Sequence, residues 1–140
     1  MASHLHRSIV VPAAALLGVV TTSCGGDGGI GATLADYTIT LDESTGTAGE
    51  ITFDVTNDAE QTHEFVVLKT DIAEDALPTD DAGDVDEAGD PGIELVDEIE
   101  DIAAGDAPSL TVTLDAGSYV LICNLPGHYR QGMHSSFTVS

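Results

Sequence analysis

Residues 119–133 read Tyr-Val-Leu-Ile-Cys-Asn-Leu-Pro-Gly-His-Tyr-Arg-Gln-Gly-Met, which places Cys123, His128 and Met133 at the spacing C-x4-H-x4-M. On a helix, positions five apart diverge by about 140°, so no single helical face collects all three. On a strand they would alternate between opposite faces. Pro126-Gly127 breaks either element between the first two. The three side chains converge only if the segment is a loop that leaves one strand, wraps around something and enters another.

The chain on either side of this loop has the matching period of two. Tyr119, Leu121 and Cys123 share one parity on the way in, and Met133, Ser135, Phe137 and Val139 share one side on the way out. Further upstream the alternating sets are Tyr37, Ile39 and Leu41; Ile51, Phe53 and Val55, beyond a Ser44-Thr45-Gly46 turn; His63, Phe65 and Val67; and Leu110, Val112 and Leu114. These are strands with one buried face. No stretch between residues 32 and 140 carries a period of 3.6. Short strands with turn punctuation predict an all-β fold, an antiparallel Greek-key β-sandwich.

A soft thiolate, an imidazole and a thioether suit copper that cycles between Cu(I) and Cu(II), and a trigonal His2Cys site with a weak axial Met needs one more histidine. His63 is available and shares the parity of Phe65 and Val67. Taken singly, His63 would be a structural core histidine, Cys123 a small buried hydrophobe and Met133 core filler. Jointly, one loop and one separate strand supply a complete ligand set, with all four facing inward at one end of the sandwich. His134 has the opposite parity to Met133 and is expected to face solvent, while His4 and His6 lie in the amino-terminal segment.

At these residues the chain resembles the cupredoxins, the blue copper family, over roughly 34–140. The resemblance is most specific in 117–139 and 57–67. The loop spacing is similar to that of the rusticyanin and sulfocyanin branch. The resemblance implies one copper ion held by His63, Cys123 and His128 with Met133 axial, and one-electron transfer as the activity. Related copper oxidases and nitrite reductases wire a second copper through a histidine directly beside the cysteine. Here Ile122 and Asn124 stand there, so the expectation is an electron carrier and not an enzyme. The alternative is a copper storage or delivery lipoprotein that uses the same ligands without electron transfer.

The amino terminus places this chemistry outside the cytoplasm. Arg7 precedes an apolar run over 9–20 that suits a signal peptide and is too short to span a bilayer. Thr21-Thr22-Ser23-Cys24-Gly25-Gly26 then resembles a lipoprotein signal, with a halocyanin-like start, in which Cys24 would carry the lipid; the alternative is ordinary cleavage near Ser23 and secretion of a soluble protein. The expected organisation is a signal peptide at 1–23, a Gly-rich tether at 24–33 and the sandwich domain at 34–140. On this reading Cys24 and Cys123 remain unpaired.

Of 140 residues, 25 are acidic and 3 are Lys or Arg, a net charge of -22. Such a polyanion lacks the cations that nucleic acid or an anionic membrane surface would require. Membrane contact is therefore expected only through the lipid. Fifteen carboxylates fall between 70 and 107, read as an acidic insertion. Its first part is expected to be a solvated loop, and 93–102 an edge strand or short helical turn. It has none of the ordered Asp-and-Gly spacing of a calcium loop. The expected partner is a redox protein with a basic docking face, a cytochrome or an oxidase domain, meeting a monomer. It would dock at an apolar patch of Leu125, Pro126 and Tyr129 around His128, with Arg130 beside it.

Overall fold

The computed structural model describes residues 28–87 and 89–140. Nine strands run in the order β1 (Ile30–Ala35), β2 (Thr38–Leu41), β3 (Thr45–Gly46), β4 (Gly49–Asn57), β5 (His63–Lys69), β6 (Glu94–Ile102), β7 (Ser109–Leu114), β8 (Gly117–Ile122) and β9 (His134–Val139). They form a four-stranded sheet, β2-β1-β4-β7, and a five-stranded sheet, β3-β9-β8-β5-β6. The chain crosses between the sheets repeatedly, so neighbours in sequence become opposite walls of a sandwich. Among the described residues no helix is long and apolar enough to cross a membrane.

The alternating sets meet between the sheets as expected. Phe53, Val55, Phe65, Val67, Leu121 and Phe137 are all buried in one inner core. Phe53 packs against both Phe65 and Phe137 at ring separations of 5.5 and 5.3 Å. The sheets are not wholly antiparallel, however. β1 runs parallel to β4, and β3 parallel to β9. Parity assigns a face to each residue but not a partner to each strand, and β1 and β3 pair with strands distant in the chain.

One boundary also differs from expectation. β1 begins at Ile30, inside the segment read as tether. Its glycines serve close packing: a Cβ on Gly29 would stand 2.6 Å from the Asp54 carboxylate, and one on Gly31 would strike that of Asp42. Residues 24–27 of the tether, Cys24 among them, and the signal segment lie outside the described residues. The second part of the acidic stretch takes the edge-strand alternative expected of it: β6 pairs with β5 along its length.

The loop between β5 and β6 is also more than a solvated excursion. Ile72, Leu77, Val85 and Ile93 fold back over the outer face of the five-stranded sheet, against Val66, Leu68, Val120, Ile122 and Tyr129. β5 and β8 are therefore buried on both faces. That explains their continuous apolar runs, Phe65-Val66-Val67-Leu68 and Val120-Leu121-Ile122, beside the clean alternation of β7.

Candidate metal centre

β8 ends at Ile122, and the chain enters the loop at Cys123 and returns as β9 at His134. The Cys123 N–H donates to the Met133 carbonyl at 3.1 Å, which closes the loop at its base. Inside it the His128 N–H donates to Leu125 O, and the Met133 N–H to His128 O. A single 3-10 turn, Tyr129–Gln131, follows His128. Gly127 and Gly132 reverse the chain at φ of 78° and 105°, where a side chain would be strained.

His63 opens β5 and is fully buried, as is Cys123, while His128 is half-buried. The Nδ1 atoms of the two histidines are 3.3 Å apart. Cys123 Sγ lies 3.7 Å from His63 Nδ1 and 3.3 Å from His128 Nδ1. The centre of that triangle is about 2.0 Å from each corner, the length of a metal–imidazole bond and close to the ~2.3 Å of a metal–thiolate bond. No Asp or Glu joins the group. The donors therefore fit a small, soft ion that prefers nitrogen and sulfur. Met133 is buried in the same cluster as Cys123, tied by its backbone to both loop ligands.

The electrostatics point the same way. Burial pushes the Cys123 thiol pKa up, against hydrogen bonds from the backbone of Glu64 and Leu125 that pull it down. Burial lowers the pKa of His63, helped by His128 and opposed by Asp36, and burial alone lowers that of His128. All three shifts favour the neutral form of the donor, and a bound cation would reverse that preference for the thiol. Glu64 lies just before the first β5–β8 pair, Val66 with Ile122. Beyond that pair β8 has ended, and the Glu64 N–H donates to Cys123 Sγ at 3.3 Å in place of a ladder carbonyl.

The expected surroundings need three corrections. Tyr129 is not part of a surface patch. It is buried on the opposite side of the loop, where its hydroxyl accepts from the Leu77 N–H and donates to Glu74 O. His134 does not face solvent freely, since its ring packs on Tyr129 and stands 3.8 Å from Glu74. Arg130 reaches across to Thr79 and the Asp80 carbonyl, away from His128. The aromatic beside His128 is instead Tyr37, edge-on at 5.2 Å. Tyr37 sits at φ 56° in the turn between β1 and β2, so its alternation with Ile39 and Leu41 concealed a turn residue.

Known structures share this architecture. Reduced auracyanin from the photosynthetic bacterium Roseiflexus castenholzii aligns at TM-score 0.54 and 21% identity, over 79% of this chain and 94% of that one. Auracyanin A from Chloroflexus aurantiacus, described as a "blue" copper protein, aligns at 0.53 and 22%, over 81% and 100%. Rusticyanin from Thiobacillus ferrooxidans aligns at 0.51 and 19%, over 79% and 76%. No protein-family model and no curated protein matches the chain. At these identities the likeness establishes the fold, the cupredoxin sandwich that the loop spacing led us to expect.

Proposed function

We propose that the protein is an extracytoplasmic electron carrier that holds one copper ion in a type 1 site. His63, Cys123 and His128 would hold it, with Met133 as a fourth, weaker donor. The observation that carries this is the buried nitrogen–sulfur–nitrogen triangle, closed to carboxylates and sized for a single ion. The fold shared with a protein described as "blue" copper supports the same reading. A bound copper ion would supply the Cu(I)/Cu(II) couple.

The chain's own residues do the rest. Burial of His63 and Cys123 keeps water from the sulfur, and the Glu64 N–H lowers the charge the thiolate presents. His63 sits on β5, and the loop that carries the other donors is anchored at its two ends by β8 and β9, so little rearrangement would accompany a change of charge. Ile122 and Asn124 flank Cys123, which supports a carrier and not a multicopper enzyme.

The test is the visible spectrum. Protein loaded with Cu(II) should show an intense thiolate charge-transfer band, lost in Cys123→Ser. A colourless protein that still binds copper tightly would overturn the carrier reading in favour of storage or delivery.

Electrons would cross at His128, the half-exposed ligand, through a rim of Leu125, Pro126 and Tyr37. The strongly anionic surface would steer a redox protein with a basic face, such as a cytochrome, toward a monomer. Transfer rates with a basic cytochrome should fall steeply from 0.01 to 0.15 M salt, as the screening length drops from about 30 to about 8 Å. A flat dependence would reject this docking mode. Cys24 is the proposed lipid-bearing residue holding the protein to the outer side of the membrane.

A further inference from the structure

The residue that follows each ligand in the loop turns away from the inner core and meets the acidic segment over 70–93. Asn124 follows Cys123. Its Oδ1 accepts from the Val85 N–H at 2.8 Å, and its Nδ2 donates to Val85 O at 2.9 Å and to Glu87 Oε1 at 2.7 Å. The side-chain amide thus pairs with the backbone of Val85 as a neighbouring strand would. Tyr129 follows His128, and its buried hydroxyl spans the Leu77 N–H at 2.8 Å and Glu74 O at 2.9 Å. His134 follows Met133 and lies against Tyr129 and Glu74. The guanidinium of Arg130 adds bonds to Thr79 and to the Asp80 and Asp81 carbonyls.

These contacts add to the loop's own backbone bonds, such as His128 N–H to Leu125 O and Met133 N–H to His128 O, by holding it from the side away from the inner core. Metal geometry tolerates little drift, so ligands need partners that fix them from behind. Here those partners come from a segment that reaches the site only because its apolar residues pin it to the sheet.

We propose that Asn124 and Tyr129 are positioning residues, through which the acidic segment holds the ligand loop in its metal-binding shape before any ion arrives. The inference rests on the copper reading of the site, but part of its test does not require copper. In metal-free protein, Tyr129→Phe keeps the ring and deletes only the hydroxyl. Amide exchange should then speed about tenfold, the scale of one hydrogen bond, at Leu77 in the segment and also at His128 and Met133 in the loop, with Val112 in the far sheet unchanged. Asn124→Ala should do the same at Val85 and in the loop. Loaded with copper, both variants should release it to a chelator about tenfold faster and show a shifted reduction potential.

Faster exchange confined to the acidic segment, with release and potential at wild-type values, would overturn the proposal. So would a fall in the global unfolding midpoint with loop exchange unchanged, which is what a merely structural role predicts. If wild-type protein gives no Cu(II) band, the copper reading fails while the exchange measurement still decides whether the segment braces the loop.

Discussion

The two faces of the five-stranded sheet use the same strands and the same residue types, yet they are covered in different ways. On the inner face Phe65, Val67, Tyr119 and Leu121 meet a second sheet of four hydrogen-bonded strands. On the outer face Val66, Leu68, Val120 and Ile122 meet an irregular stretch holding nine carboxylates between 70 and 93. That stretch has one isolated bridge, Thr79 with Val85, in place of a ladder. Its apolar anchors, Leu77, Val85 and Ile93, recur every eight residues and turn inward, and most of its carboxylates face water. Burial of β strands therefore does not require a sheet on each side. A charged segment suffices if it supplies a few well-placed hydrophobes and satisfies its backbone by side-chain bonds.

The difference should show in cooperativity. The inner core is shared by both sheets, so Phe53→Ala removes an aromatic that touches Phe65 and Phe137 together. It should cost about 3–5 kcal/mol, enough to leave a domain of this size near unfolding, read as a drop in the denaturant midpoint. Leu77→Ala on the outer face should cost less, about 2 kcal/mol, because the segment can open without the sandwich. Its signature is faster amide exchange over 71–93 while the sheet amides keep their protection. If Leu77→Ala lowers the midpoint as far as Phe53→Ala, the two faces form one cooperative unit and the contrast is lost.

The same contrast marks what could be read from sequence. The inner face was legible because period-two alternation is a direct image of one-sided burial: Ile51, Phe53, Val55, Leu110, Val112 and Leu114 all point where their parity places them. The ligand set was legible because C-x4-H-x4-M admits so few geometries, and His63 is the histidine with the right parity. The outer face was hidden by charge. Leu77, Val85 and Ile93 stand too far apart among the carboxylates to show a strand or helix period, although the uninterrupted runs Phe65-Val66-Val67-Leu68 and Val120-Leu121-Ile122 already required a second cover. Tyr129 was misplaced for that reason, since a tyrosine beside a surface ligand reads as exposed until a layer exists to bury it. Tyr37 was hidden differently, by a turn whose φ of 56° carries no glycine to announce it.

The smallest expected effect tests the cost of covering a face with charge. Glu98 on β6 is partly buried, and its carboxyl pKa is raised first by that burial and then by repulsion from Glu87 of the acidic segment, Glu100 and Asp97. A carboxyl whose pKa is raised on folding favours the folded state when protonated. Its contribution is therefore fully present below the unfolded value of 4.5 and is lost as pH rises through the higher folded value. At pH 7 the group is ionised against its neighbours, and Glu98→Gln removes that charge while keeping the shape. The variant should be more stable than wild type at pH 7 by about 0.5 kcal/mol or less, given the solvent still around the group. The gain should vanish below about pH 4, where both side chains are neutral, and shrink in 1 M salt, where screening falls to about 3 Å. Paired denaturation curves at the two pH values measure it. A gain that persists at low pH would mean that packing, and not charge, separates Gln from Glu at this edge. A loss at pH 7 would mean that the carboxylates of β6 and the outer layer are held by favourable partners, so that the acidic cover strains the sandwich less than its charge implies.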